Sequence, residues 1–331
     1  MGKIGILQAY FEEKCGGVKY QRQVKDILTK NFDFETIDIG AKYFKKFRYL
    51  KTPETFLNLF AYKGGKDLWL RDFYSIVALS KKRTPGKNVA VMFHIDFSTS
   101  SPVPRLLSRL VEKLFFYRNL KKVDAIVVIS EYWESYFLKR GYKNVRKIYC
   151  GFDMDNFNIT EDETIEFKKK HNLDGKPILY LGNCQSTKGA VDSYRALSGL
   201  DVHFVTSGKE YVKIPALNLN LGYREYLTLL KAATVVLTMS KNNEGWNMTA
   251  HEAMLLRTPV IGSGKGGQRE LLEGGGQIVC EDFKQLRKKV EFLLNDPAQR
   301  KTIGSHGFEY ARAFTRERFN RSWESLVNEM L

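Results

Sequence analysis

Apolar and polar positions along this chain alternate between two periods. Short apolar runs recur at Ile4–Tyr10, Phe34–Ile39, Asn88–Phe93, Asp124–Ser130 and Val145–Tyr149. They continue at Pro177–Leu181, Val202–Thr206, Leu217–Leu221, Thr234–Met239, Pro259–Gly262 and Gln277–Cys280. Runs this short, bounded by Gly, Pro, Asn or charge, predict buried strands. Between them, apolar residues fall at helical spacing over Val18–Lys30, from Ser130 through Arg140, and over Arg224–Ala233 and Thr249–Leu256. Further helices are expected from about Gln268 and over 282–295, 297–313 and 315–331. Strands alternating with helices predict an α/β fold with mostly parallel sheets. The pattern runs through both halves and breaks near residue 152. The expected architecture is therefore two doubly wound, Rossmann-like domains facing across a cleft. Ligands in such sheets bind outside the carboxyl ends of the strands.

Two stretches of the first half leave a choice open. Residues 42–74 interleave Lys and Arg with Tyr43, Phe44, Phe47, Tyr49, Phe56, Phe60, Tyr62, Trp69, Phe73 and Tyr74. This suits an anionic interface, and equally a half-buried helix pair with a solvated basic face. Arg105–Lys122 reads as a basic amphipathic helix, its apolar face built from Leu106, Leu107, Leu110, Val111, Leu114, Phe115 and Tyr117. It suits a membrane interface, and equally packing on its own sheet. The loop Asp96–Pro104 between strand and helix has neither pattern.

Charge sharpens this picture. The chain has 331 residues, enough for two domains, and a formal net charge of +16. Residues 1–150 hold 29 Lys and Arg against 14 Asp and Glu, whereas residues 151–331 hold 24 against 23. The basicity belongs to the first half, which implies an anionic partner for that half. No apolar run is long enough to span a bilayer, and the first residues read as a strand, not as a cleavable signal. Cys15, Cys150, Cys184 and Cys280 are scattered without metal-ligand spacing. A reduced, cytosolic setting follows, with peripheral membrane contact as an option.

The chemistry concentrates in Asn243–Met254. Here the strand Thr234–Met239 leads through a Gly-containing turn into a helix. Glu244 and Glu252 flank the turn with seven residues between them. Free N–H groups and the dipole at a helix start favour phosphate, and the carboxylates can accept hydrogen bonds from sugar hydroxyls. Gly16-Gly17 follow the first strand and allow close backbone approach to a ligand, though an ordinary turn needs the same residues. His94 ends the strand Asn88–Phe93, which suits a ligand contact or a structural role.

The second half resembles the GT-B glycosyltransferases, specifically the retaining, family-4 type of group 1. The resemblance rests on Glu244, Gly245, Glu252, Ala253-Met254, Thr258-Pro-Val-Ile261, Gly266-Gly267 and Glu270. Gly16-Gly17, Ser130, Gly151-Phe-Asp153, Gly182 and Lys188-Gly189 match further positions. The resemblance implies an acceptor-binding domain over 1–152 and a donor domain over 153–312. It implies that 313–331 carries a C-terminal helix packing back toward the first domain. The implied reaction transfers a sugar from a UDP- or GDP-linked donor to an acceptor hydroxyl, without cofactor or metal. Glu244, His94 and Lys188 are the implied catalytic residues. Gly16, Gly17, Gly182, Asn183, Lys188, Gly245, Trp246, Asn247, Met248, Thr249 and Glu252 are the implied donor contacts. Glu252 would hold the ribose, and Glu244 the donor sugar. Three positions depart from the family pattern: Asn183 replaces an Arg, Asn247 replaces a Gly, and Cys150 replaces an Asn. The Asn247 side chain is expected to fill space beside the donor sugar. The acceptor is expected to be a glycan or a lipid-linked molecule, with anionic membrane contact through the basic half and no nucleic acid. The alternatives are a nucleic-acid binder with a nucleotide-sensing second domain, and a non-catalytic relative.

Overall fold

The computed structural model describes residues 2–8, 16–44, 47–95 and 110–331. Cys15, the loop Asp96–Pro104 and the start of the basic helix at Arg105–Arg109 lie outside the described residues. The chain forms two compact units, Met1–Gly151 with Arg316–Leu331, and Phe152–Thr315.

The first unit is built on six parallel strands in the order β2-β1-β3-β4-β5-β6. They are β1 (Lys3–Gln8), β2 (Asp33–Asp38), β3 (Leu68–Arg71), β4 (Lys87–Met92), β5 (Ala125–Val128) and β6 (Val145–Lys147). The helices include α1 (Gly16–Asn31), α2 (Arg48–Ala61), α3 (Phe73–Val77), α4 (Tyr117–Leu120) and α5 (Glu131–Leu138). Ile4, Leu70, Val89, Ala90, Ile126 and Val127 are buried. A parallel sheet covered on both faces requires such continuous apolar runs.

Strand β3 corrects the sequence reading, which merged it into the basic, aromatic stretch. Its four residues are all buried, yet charges flank them and Arg71 is one of them. That cation survives burial because Nε donates to Asn88 Oδ1 at 2.9 Å and Nη2 to Thr84 Oγ1 at 2.8 Å. Burial pulls its pKa down to about 10. A second correction concerns the helix expected to end at Lys122. A π-helical turn over Glu112–Phe116 precedes α4. The extra residue in that turn rotates Phe116 and Leu120 inward, while Leu110, Leu114 and Phe115 of the expected apolar face stay exposed. Among the described residues no helix is long and apolar enough to cross a membrane.

The last helix, α13 (Arg316–Met330, named ahead of the second unit's α6–α12), belongs to the first unit and packs on α1. Its Trp323 is fully buried, and Nε1 donates to Tyr20 Oη at 3.2 Å. Tyr20 in turn donates to the Ile148 carbonyl at 3.0 Å.

The second unit holds six parallel strands in the order β12-β11-β10-β7-β8-β9. They are β7 (Ile178–Asn183), β8 (His203–Ser207), β9 (Leu217–Leu219), β10 (Val235–Thr238), β11 (Val260–Gly262) and β12 (Ile278–Val279). The helices are α6 (Glu161–Lys170), α7 (Ala190–Leu197), α8 (Tyr223–Ala232), α9 (Met248–Leu255), α10 (Gln268–Gly274), α11 (Phe283–Asn295) and α12 (Pro297–Ala311). Leu179, Leu181, Val235, Leu237 and Ile261 of the sheet pack with Leu286, Val290 and Leu293 of α11. The order of strand addition reverses between β7 and β10: β8 and β9 lie to one side of β7, β10 to β12 to the other. Loops leaving two such strands diverge and open a crevice at their carboxyl ends.

Trp323→Ala removes a fully buried indole and its bond to Tyr20. Denaturant unfolding should show the first unit destabilised by about 3–5 kcal/mol, with the second unit's transition unchanged.

Candidate active site

The crevice between β7 and β10 gathers most of the sequence-derived candidates of the second unit. After β7 the chain turns through Ser186–Lys188 and then Gly189 at φ 79°. A Cβ on Gly189 would collide with the Met239 carbonyl, so only glycine lets this turn lie against the end of β10. The Lys241 N–H donates to the Thr187 carbonyl at 2.9 Å and joins the two loops.

Glu244 sits in the loop after β10, and its backbone is zipped to the loop after β11. Its N–H donates to the Lys265 carbonyl at 3.2 Å, and its carbonyl accepts from the Gly267 N–H at 2.9 Å. Gly266, at φ 66°, passes so close that any Cβ would strike the Glu244 carbonyl. Gln268, fully buried, ties the strand ends together. Its amide donates to the Thr238 carbonyl and Oγ1, both at 2.8 Å, and its oxygen accepts from Ser263 Oγ and the Gly264 N–H. Sequence reading missed Gln268, because an amide inside a helical pattern has no signature of its own.

Within this frame the Lys188 ammonium and the Glu244 carboxylate meet at 2.7 Å. The lysine is about one-third exposed and the carboxylate nearly buried. Lys241, also overlooked in the sequence, pairs with Asp192 of α7, which follows the Ser186–Gly189 turn. Gly182 takes φ 81°, and the Asn183 carboxamide oxygen lies 3.5 Å from Ser207 Oγ.

The turn into α9 explains the Gly-to-Asn departure. Asn247 adopts the left-handed conformation with φ 82° and ψ 82°, which Asn tolerates better than other residues with a side chain. Its Oδ1 accepts from the Ala250 N–H at 3.0 Å and caps the helix. The capping bond turns this side chain onto the helix. Trp246 is likewise buried, and its Nε1 donates to His251 Nδ1 at 3.0 Å. His251 Nε2 then donates to the Ala311 carbonyl at 3.1 Å, and its ring stacks on Phe152 at 3.9 Å.

Glu252 lies on α9 and is 4% exposed. Its Oε1 accepts from the Tyr223 hydroxyl at 3.0 Å. The Tyr226 hydroxyl donates to Thr249 Oγ1 at 2.9 Å. Burial, and then the charge of Glu252, push the phenol pKa of Tyr223 far up. Burial also raises Tyr180 and Tyr226, with Glu252 adding to it. All three stay neutral donors around one carboxylate. Tyr223 and Tyr226 share α8 while Tyr180 lies on β7, so local spacing alone does not reveal the cluster.

Gly16, Gly17 and His94 belong to the first unit. Gly16 and Gly17 open α1 instead of lying in a loop before it, and β1 stands where strand order reverses in that sheet. A Cβ on Gly17 would approach the Phe93 ring to 3.3 Å, so this glycine meets the segment that carries His94. His94 itself follows β4 and is exposed.

Two doubly wound units in one chain define the GT-B class of fold. Sucrose-phosphate synthase from Thermosynechococcus elongatus has a similar structure, with a TM-score of 0.79 at 18% identity over 100% of this chain and 99% of that one. Anabaena HepE, solved with UDP and glucose, superposes with a TM-score of 0.74 at 15% identity over 99% of this chain and all of that one. An uncharacterised glycosyltransferase of Methanocaldococcus jannaschii is 27% identical over 288 residues, 78% of this chain and 80% of its own. Residues 161–310 match the family "Glycosyl transferases group 1". That match covers most of the second unit.

Asn247→Ala loses the cap and places a Cβ residue in left-handed backbone. It should cost about 2–3 kcal/mol in urea unfolding, whereas Asn247→Gly should cost only a few tenths. Equal losses would remove the conformational explanation.

Proposed function

We propose that this chain moves a sugar from a nucleotide-diphosphate sugar, UDP- or GDP-linked, to an acceptor hydroxyl with retention of configuration. The observation that carries this reading is the convergence of Lys188 and Glu244 from two neighbouring loops on the strand-order switch of the second unit. A diphosphate leaving group gathers negative charge as the sugar departs, and a cation pre-positioned for it stabilises that charge. Lys188 takes this role, helped by the N–H groups of Met248 and Thr249 at the start of α9. Glu252, buried and held by Tyr223, is placed to receive the ribose hydroxyls. Glu244 contacts the donor sugar on its reacting side, and Gly245 leaves room for it. Gly182 and Asn183 end β7 beside the phosphates. The chemistry uses no metal and no cofactor besides the donor. UDP and glucose bound to HepE support a nucleotide-sugar donor. The acceptor is a glycan or a lipid-linked molecule at the cytoplasmic face of a membrane, in keeping with the basic first half.

Binding and turnover separate the two central residues. Thermal shift with UDP, GDP and their sugars identifies the donor, because a ligand of the native state raises its melting point. Lys188→Ala should weaken nucleoside diphosphate binding about tenfold or more and leave nucleoside binding unchanged. Equal losses would argue against a phosphate role. Glu244→Gln should lower transfer at least about a hundredfold. Because the carboxylate now holds Lys188, the same change should leave diphosphate affinity unchanged or improve it. A parallel loss of diphosphate binding would sink the separate assignment.

A further inference from the structure

Helix α2 carries large apolar residues on its outer side. Its buried side holds Leu59, 3% exposed, together with Glu54 and Thr55, which are 8% and 7% exposed. Its outer side holds Leu50, Pro53, Leu57, Phe60 and Ala61, all exposed. Leu57 is 68% exposed, and Tyr43 and Phe47 in the preceding turn are 88% and 61% exposed. The orientation is built, not accidental. The Glu54 carboxylate accepts the backbone N–H groups of Lys42 at 2.8 Å, Tyr43 at 2.9 Å and Phe44 at 2.8 Å. Asn58 donates to the carbonyls of Ile39 at 3.3 Å and Gly40 at 3.1 Å. Burial works against the Glu54 charge, and the three N–H donors outweigh it, so its carboxyl stays below the usual range. Glu54 and Asn58 are spent on pinning the helix, and Leu50, Leu57 and Phe60 are left outside.

We propose that this outer face of α2, with Tyr43 and Phe47 ahead of it, seats in the interface of an anionic lipid bilayer. Charge supports that occupant. Between residues 41 and 66 the sequence has Lys42, Lys45, Lys46, Arg48, Lys51, Lys63 and Lys66 against one acid, Glu54, which is turned inward. An apolar face bordered by lysines matches headgroup phosphates above an acyl boundary. Nucleic acid fits less well, because leucines and a proline offer no stacking surface for bases. The 14-residue helix is too short to span and lies in the plane of the interface. The same layer continues toward the π-helical turn: Phe56 packs on Tyr74, and Phe73 stacks on Phe116. There Leu114 and Phe115 are exposed beside Lys113. This surface deepens the membrane-acceptor part of the proposed function and uses none of the donor residues.

Vesicle flotation of the full chain tests the surface. Wild type should float with phosphatidylcholine–phosphatidylglycerol vesicles, much less with phosphatidylcholine alone. Binding should fall between ~0.1 and ~1 M salt as screening tightens. The double variant Leu57→Ser/Phe60→Ser should lose about tenfold or more in partitioning, since each buried Leu or Phe side chain corresponds to roughly one to two powers of ten. Both positions are exposed, so its melting point and its thermal-shift response to UDP and GDP should match wild type. Flotation of the double variant equal to wild type overturns the proposal, as does binding indifferent to lipid charge. A lipid-free dimer that the double variant dissolves, or salt-dependent RNA binding without flotation, also overturns it. Flotation in a chain that responds to no nucleotide would keep the surface and remove the donor reading. A nucleotide response without flotation would do the reverse.

Discussion

The second unit depends on one strained turn. Between Glu244 and α9 the chain must reverse within a few residues and still present a carboxylate, a free helix start and a buried anchor. Left-handed backbone at Asn247 makes the reversal, and the side chain of that residue offsets part of its cost by capping the helix it opens. Trp246, driven into the core beside it, holds the turn through His251. His251 is stacked on Phe152 and donates to Ala311, so the turn is fixed to the segments where the chain enters and leaves this unit. Loosening any of these contacts would release Glu244 from Lys188.

Around that turn, glycines act by what they leave out. Gly189 and Gly266 have positive φ, and each passes so close to a carbonyl that no side chain fits. They bring the loops after β7 and β11 against the loop after β10. The result is a cation and a carboxylate held together at the strand-order switch, where diverging loops leave room for a ligand. The pairing holds both groups in one geometry, and under the proposed function an arriving diphosphate competes with Glu244 for the same ammonium.

The first unit follows another logic. Its sheet is ordinary in pattern, but the layer over it holds a helix whose Glu54 carboxylate is inside beside Leu59 and whose Leu50, Leu57 and Phe60 are outside. Periodicity cannot distinguish that helix from a normal amphipathic one, because both show an apolar stripe and a polar stripe. Only the backbone donors at Lys42, Tyr43 and Phe44 decide which stripe turns inward.

Local order alone determined much of this protein. Apolar runs bounded by glycine and charge marked eleven of the twelve strands, because a parallel sheet buried on both faces needs them. Glu244, Gly245, Glu252 and Gly266-Gly267 were legible as a motif, because their spacing follows from one turn and one helix. Strand β3 was not legible, since four apolar residues among charges form a strand only when neighbours on both sides supply the ladder. The meeting of Lys188 with Glu244, 56 residues apart, was likewise beyond local pattern. So were Gln268 locking the strand ends and three tyrosines gathering around Glu252. Tertiary structure decided these because each is a contact between elements that no periodicity relates.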